Sequence, residues 1–345
     1  MIDLRSDTIT IPRKEMLMTI NTAQLGDDGR ISEITGKGED ETTNRLEELC
    51  AHITGKEDSC FVPSGTFANT VSIMALSSPE NKILVDDTMH LYRSEKALFS
   101  KKIANLKPLF YKLKDNGKPD ISSIKTILGS YEVKVMCIEN THNFRGGVVL
   151  SPNEIREIYE CAKKRNVHVY MDGARLFNAV AALNVKTKEI CQYADSLMFC
   201  FSKGLGAPIG SVVCGEKEFI KEVREMRKIL GGGLRQSGVI TAPAIYAIEN
   251  NIEKLAEDNK KAFKFASGIE NLEKIYVDIE KVQSNIVMID VSKTNKTANE
   301  VVEILTNNGL CLGVVEKNLI RAVFHQDVTQ EDVVNAIGIC KSVFE

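Results

Sequence analysis

The chain has 345 residues and a mass of 38.2 kDa; 43% of the residues are hydrophobic and 26% charged. At roughly 150 residues per domain this is material for about two domains, and the charged fraction is that of an ordinary folded protein, which excludes global disorder. The 44 basic and 47 acidic side chains leave a net charge of −3 and a pI near 6.1, so no basic excess exists to draw nucleic acid or an anionic membrane surface.

Taken in chain order, the sequence opens with Met1-Ile2-Asp3-Leu4-Arg5, too charged for a secretory signal. Gly26 to Glu41 is polar, Gly-rich and aperiodic, and reads as an exposed loop. From about residue 59 to 215, short apolar runs alternate with longer amphipathic ones. Ser59–Val62, Lys82–Val85, Val133–Glu139, Val167–Met171, Ser196–Phe201 and Ser211–Cys214 read as buried strands. Ser151-Pro152-Asn153-Glu154 is a helix capping box with proline at the first helical position. Strands alternating with helices predict an α/β domain with a mostly parallel sheet covered on both faces. The tail differs. One long helical stretch, about Ala242 to Leu272, leads to the strands Ile286–Val291 and Leu319–Val323 and to helices near Thr297–Asn308 and Thr329–Phe344, a smaller α+β lobe. The predicted division is an N-terminal segment 1–20, a large domain 21–250 and a small domain 251–345.

No run approaches the roughly 18 apolar residues of a membrane span. Nine cysteines occur, an odd number with no CxxC pair, and most lie in apolar runs. They read as small buried hydrophobes, a usage that fits a reducing cytoplasm better than secretion. The five histidines show no metal-binding spacing and HExxH is absent, so no metal site is expected.

Ligands of open α/β sheets collect at the carboxyl ends of the strands. Four predicted strand ends carry functional groups: Pro63-Ser64-Gly65-Thr66, Glu139-Asn140-Thr141-His142, Asp172-Gly173-Ala174-Arg175 and Ser202-Lys203-Gly204. Ser64-Gly65-Thr66 either caps a helix or cradles a phosphate at a positive helix terminus. Asp172 is a helix cap or the partner of a cationic ring nitrogen. Arg175 is a surface ion-pair partner or a bidentate clamp for a carboxylate. Lys203 is a snorkelling surface residue or a buried amine able to form a Schiff base. His90 and His142, both near strand ends, are candidates for stacking or proton transfer, whereas His52 and His168 read as structural. Neither GxGxxG nor GxxxxGK[ST] is present. A phosphate cradle, a strand-end carboxylate, an arginine and a lysine together suit pyridoxal phosphate.

These motifs carry a family resemblance. Asp3-Leu4-Arg5-Ser6-Asp7-Thr8, Phe61–Thr66, Ile138–His142, Met171–Arg175, Met198–Leu205 and Gly231–Gln236 together resemble the low-specificity L-threonine aldolases, aspartate-aminotransferase-like (fold type I) enzymes that depend on pyridoxal phosphate. The resemblance spans essentially the whole chain. It implies a carbon–carbon lyase that splits L-threonine, L-allo-threonine and related β-hydroxy-α-amino acids into glycine and an aldehyde. It implies that Lys203 holds the cofactor covalently, that Asp172 keeps its ring nitrogen protonated, and that His90 stacks on the ring. Ser64, Gly65 and Thr66 match the phosphate loop, and Arg235 matches an arginine that reaches the phosphate of a neighbouring subunit, so a homo-oligomer, dimer or tetramer, is implied. Ser6, Arg175 and Arg321 match the clamp on the substrate carboxylate, which brings the N-terminal segment into the active site, and His142 matches a residue near the substrate hydroxyl.

One block departs from the family pattern GDD-VYGEDP. Here Gly26-Asp27-Asp28 is followed by nine residues before Gly38-Glu39-Asp40-Glu41, seven more than usual, with Lys37 in place of the tyrosine and Glu41 in place of the proline. The extension, Gly29 to Lys37, is expected to shape access of substrate rather than the chemistry. Another reaction on the same cofactor, β-elimination or transamination, is the alternative, because fold does not fix reaction.

Overall fold

In the computed structural model, which describes residues 1–345, the strands follow as β1 (Ile2–Asp3), β2 (Asp58–Val62), β3 (Lys82–Val85), β4 (Lys107–Phe110), β5 (Val135–Glu139), β6 (His168–Asp172), β7 (Ser196–Cys200), β8 (Ser211–Gly215), β9 (Ile286–Asp290), β10 (Leu310–Cys311), β11 (Gly313–Glu316) and β12 (Leu319–Val323). Seven of them form one sheet in the order β2-β8-β7-β6-β5-β3-β4. The pairings from β7 through β4 are parallel, and β8 is antiparallel to both β7 and β2. The reversal follows from chain length. Only Phe201–Gly210 separates β7 from β8, too short for a parallel crossover of a dozen or more residues. That connection is folded tightly, with Phe201 N–H on Gly210 O and Ala207 N–H on Phe201 O, both at 3.0 Å. β4, which the hydrophobic pattern did not announce, carries Pro108 and lies at the sheet edge, where a missing N–H is tolerated.

β5, β7 and β8 are buried along their whole length, as a sheet covered on both faces requires. Ser151 caps the helix Pro152–Lys163 with the complete capping box expected from its sequence. All nine cysteines are free and buried, and no helix is long and apolar enough to cross a membrane.

The helical stretch expected over Ala242–Leu272 is two helices, Gly238–Asn251 and Leu255–Ile269. The break lets one sequence serve two cores. Ala244, Ile245, Ala247 and Ile248 pack into the core of the large sheet, whereas Ala262, Phe265, Ala266 and Ile269 pack into a second core. The second core fills a lobe in which β9, β12 and β11 form an antiparallel sheet beside the helices Ala298–Asn307 and Gln330–Phe344. The beginning of the chain belongs to this lobe as well. β1 pairs in parallel with β10, and Leu4 is buried in the second core.

The polar stretch Gly26–Glu41 is not exposed throughout. Glu39 N–H reaches Asp27 O at 3.1 Å, closing the base of the excursion. Asp28 is buried against Arg227 at 2.9 Å. Asp40, also buried, caps the helix Glu41–Thr54 through Thr43 N–H at 2.9 Å and accepts from Gly26 N–H and Gly238 N–H. Composition predicted a solvated loop because it cannot register that these two aspartates find partners about 200 residues away. Between the stems, Ile34 at the tip is 96% exposed.

Candidate active site

The register of the parallel strands sets Glu139 beside Asp172 and Asp172 beside Met198, so the ends of β5, β6 and β7 open at one level. Asp172 is buried there. Its Oδ2 accepts from Asn69 Nδ2 at 2.9 Å and its Oδ1 from Ala174 N–H at 3.0 Å. It is not a helix cap, since the next helix begins at Leu176. Asn69 in turn accepts the Tyr170 hydroxyl at 2.8 Å and reaches Glu95 at 3.3 Å.

His90 opens the short helix His90–Ser94 directly beyond β3. Its Nδ1 lies 3.1 Å from Glu95 Oε1, and its backbone N–H donates to Glu139 Oε2 at 2.8 Å. Burial disfavours charge on His90, but the Glu95 hydrogen bond, with Asp172 and Glu139 nearby, outweighs it and raises the imidazole above its ordinary range. His142 is more deeply buried, with Nε2 3.1 Å from Asp86 Oδ2 and Nδ1 3.9 Å from Glu139 Oε2. Burial again works against its charge, and the carboxylates of Glu139 and Asp86 raise it. Thr88 fixes Asp86 through its N–H at 2.9 Å and its hydroxyl at 2.6 Å.

Lys203 lies on the β7–β8 connection, half-buried, with its carbonyl accepting from Gly206 N–H at 2.8 Å. Its position comes from the tight reversal that makes β8 antiparallel. Arg175 is buried, and its partner is Asp7 of the N-terminal segment rather than a surface carboxylate. Nε and Nη2 donate to the two oxygens of Asp7 at 2.6 and 2.7 Å. Burial pushes Asp7 up, but the Arg175 guanidinium, with the Lys203 ammonium behind it, brings it down to about 2. Arg175 Nη1 donates to Asn143 Oδ1 at 3.0 Å, and Arg321 Nη1 donates to the same oxygen at 2.7 Å. Burial and the neighbouring Arg175 charge lower Arg321 to about 10. Ser6 lies one residue from Arg5, whose carbonyl meets Arg321 Nη2 at 3.5 Å; the Ser6 hydroxyl accepts from Thr8 N–H at 3.2 Å.

Ser64 caps the helix Gly65–Leu76, accepting from Phe67 N–H at 3.2 Å. The intrahelical ladder begins at Ala68 N–H, which leaves the N–H groups of Gly65 and Thr66 at a positive helix end. A Cβ at Gly65 would stand 2.8 Å from Cys200 Sγ, so only glycine lets the helix start lie this close to β7. Arg235 is apart from these groups: its side chain is 69% exposed and pairs with Asp27 at 3.0 Å.

The structure therefore gathers Lys203, Asp172, His90, His142, Arg175 and Arg321 at the strand ends and leaves Arg235 outside. Asn69, Asp86, Glu95 and Asn143 join the site without having been read from sequence. Asp7 and Glu139 stood inside quoted motifs but carried no assigned role. Asn69 and Glu95 have no spacing signal, since one is among several polar residues of the helix Gly65–Leu76 and the other lies in the break between two short helices.

Residues 3–292 match the family described as beta-eliminating lyase. The chain is 37% identical over 341 residues to low-specificity L-threonine aldolase 1 of Arabidopsis thaliana, covering 96% of this chain and 93% of that one. It is 34% identical over 338 residues to the low-specificity L-threonine aldolase of Escherichia coli K12, covering 96% of both. The chain belongs to the low-specificity L-threonine aldolase family of these lyases. Its fold is shared with a threonine aldolase of Leishmania major at a TM-score of 0.81 over the whole of both chains, with 16% identity. This is the fold type I architecture expected from the motifs.

The residues present fit pyridoxal phosphate. Among the groups at the strand ends, Arg321 Nε and, below Gly65, Ser211 Oγ are buried polar atoms with no hydrogen-bond partner. One belongs to the arginine pair that meets on Asn143, the other lies at the floor of the helix terminus.

Proposed function

We propose that the chain cleaves L-threonine, L-allo-threonine and related β-hydroxy-α-amino acids to glycine and an aldehyde with bound pyridoxal phosphate. The observation that carries the reading is the convergence of Lys203, Asp172 and His90 at the strand ends beside the Arg175–Arg321 pair. The names of the relatives support the substrate class.

Lys203 would hold the cofactor aldehyde, Asp172 the ring nitrogen, His90 one face of the ring, and the N–H groups of Gly65 and Thr66 with the Ser64 region the phosphate. Bound there, the cofactor supplies a carbonyl for the substrate amine and a sink for the electrons of the broken Cα–Cβ bond. The arginines and Ser6 hold the α-carboxylate and so fix which bond at Cα faces the ring. His90 moves the β-hydroxyl proton, because Glu95 engages Nδ1 while Nε2 has no protein partner. His142, whose Nε2 is 3.1 Å from Asp86 Oδ2, orients Asp86 instead. On this reading residues 21–250 carry the cofactor, residues 251–345 bring Arg321, and residues 1–20 bring Ser6 and Asp7.

Arg235, exposed and pinned by Asp27, would serve the phosphate of a second copy, making a homo-oligomer the working form. Sedimentation showing a fully active monomer would contradict that. Nine free buried cysteines suit a reducing cytoplasm. The decisive assay is product analysis: glycine and acetaldehyde from threonine support the lyase reading, and ammonia with a keto acid would replace it by elimination.

A further inference from the structure

The carboxylate site contains more positive charge than one substrate needs, and the chain itself cancels part of it. Arg175 spends Nε and Nη2 on the buried Asp7. Its remaining Nη1 and the Nη1 of Arg321 meet on one oxygen, Asn143 Oδ1, at 3.0 and 2.7 Å. Two guanidinium groups so close repel each other, and a shared acceptor is what holds them side by side. The acceptor is itself fixed: Asn143 N–H donates to Glu139 Oε1 at 2.8 Å, from the end of β5. Asn143 supplies that oxygen without adding charge. Asp7 is bonded to Arg175, whereas no carboxylate touches Arg321, whose buried Nε has no partner.

We propose that Asn143 is a positioning residue of the carboxylate site, holding Arg175 and Arg321 in register so that Arg321 presents one free charge to a single substrate carboxylate. The proposal rests on the reading of this site as one for an α-amino acid. It explains why the residue is a neutral amide. An aspartate of nearly the same shape would fill the charge that the substrate has to meet.

The test uses cofactor-loaded wild type and the variants Asn143→Ala and Asn143→Asp. Glycine binding is measured by calorimetry and threonine cleavage by steady-state kinetics. Loss of one charge-assisted contact should weaken glycine binding about tenfold in the alanine variant, and cancellation of the charge should weaken it about a hundredfold in the aspartate variant. KM for threonine should rise by the same factors while kcat falls far less, the pattern of a lost ground-state contact. The cofactor absorbance should stay that of wild type. Glycine affinity within about threefold of wild type in both variants would overturn the proposal, as would parallel loss of kcat and cofactor. If the aspartate variant fails to load cofactor, Asn143→Ser takes its place beside the alanine variant. Wild type that binds glycine but does not cleave threonine would sink the functional reading alone, and the glycine comparison would still decide the role of Asn143.

Discussion

Glu95, wholly buried, sets its carboxylate 3.1 Å from Nδ1 of His90. The pair lies five residues apart because the helix breaks at Glu95, where φ −84° and ψ 66° turn the side chain inward. His90 is thus held toward its charged form by a neighbour on its own chain segment. Because its folded ionisation lies above the unfolded value of 6.5, the stabilisation is complete below that value and is lost as pH climbs through the raised one. Glu95→Gln keeps the shape and removes the charge. His90 should then titrate lower, and the acid limb of the pH–rate profile should shift down with it. Thermal stability should also depend less on pH across the neutral range. An unmoved profile would separate Glu95 from the proton that His90 handles.

Lys203 and Asp172 give the most direct test of the cofactor site. Borohydride treatment of the loaded enzyme should fix the cofactor on the peptide carrying Lys203, and Lys203→Ala should bind cofactor without being labelled. Asp172→Asn should keep its fold, because the amide oxygen can still accept from the Ala174 N–H and Asn69 can turn its own amide over to accept from the new NH2. Its turnover should fall by about 10²–10³-fold, the scale for removing a preorganised charge partner. Near-full turnover at full cofactor occupancy would rule out Asp172 as the ring-nitrogen partner.

Glu47 tests the scaffold behind the helix start at Ser64, the proposed phosphate loop. It is buried, pairs with Arg224 at 3.0 and 2.7 Å, and accepts Phe61 N–H at 2.7 Å, three residues before Ser64. Glu47→Ala leaves the Arg224 charge buried and uncompensated except for Asp58 at 3.6 Å. Breaking such a pair costs about 3–5 kcal/mol. Urea denaturation should show the loss, and cofactor affinity should fall with it because β2 leads directly into the cradle.

How much of this was readable in advance depended on whether a residue's role was local. Six of the seven strands of the large sheet declared themselves by continuous apolar runs, the edge strand β4 excepted, and the capping box at Ser151 by four consecutive residues. Lys203, Asp172 and Ser64 were found because each follows such a run. What escaped were roles fixed by distant partners. Asp7 acquires its meaning from Arg175, Asn69 from Asp172, and Asp28 from Arg227. The division of the 242–272 stretch escaped for the same reason, since both halves have helical composition and only the change of core between them imposes the break.

The extension Gly29–Lys37 stands on a base closed by Glu39 N–H and Asp27 O. Replacing it with two residues should leave the Asp28–Arg227 and Asp40 anchors in place, and hence the cofactor spectrum. The ratio of kcat/KM between threonine and bulkier β-hydroxy amino acids should shift. Unchanged ratios would make the extension a solvated insertion, and a lost cofactor spectrum would show that it braces the site itself.

The parallel pairing of Ile2 and Asp3 with Leu310 and Cys311 carries a consequence for biosynthesis. Ile2 and Asp3 have no strand to join until Leu310 and Cys311 have been made. The large sheet, complete by Gly215, can form and take up cofactor while Asp7 still lacks the neighbours that steady it against Arg175. A growing chain therefore owns a place for its cofactor well before it owns a place for its substrate, and a chain cut short between the helix Gly238–Asn251 and β10 would hold cofactor but lack Arg321.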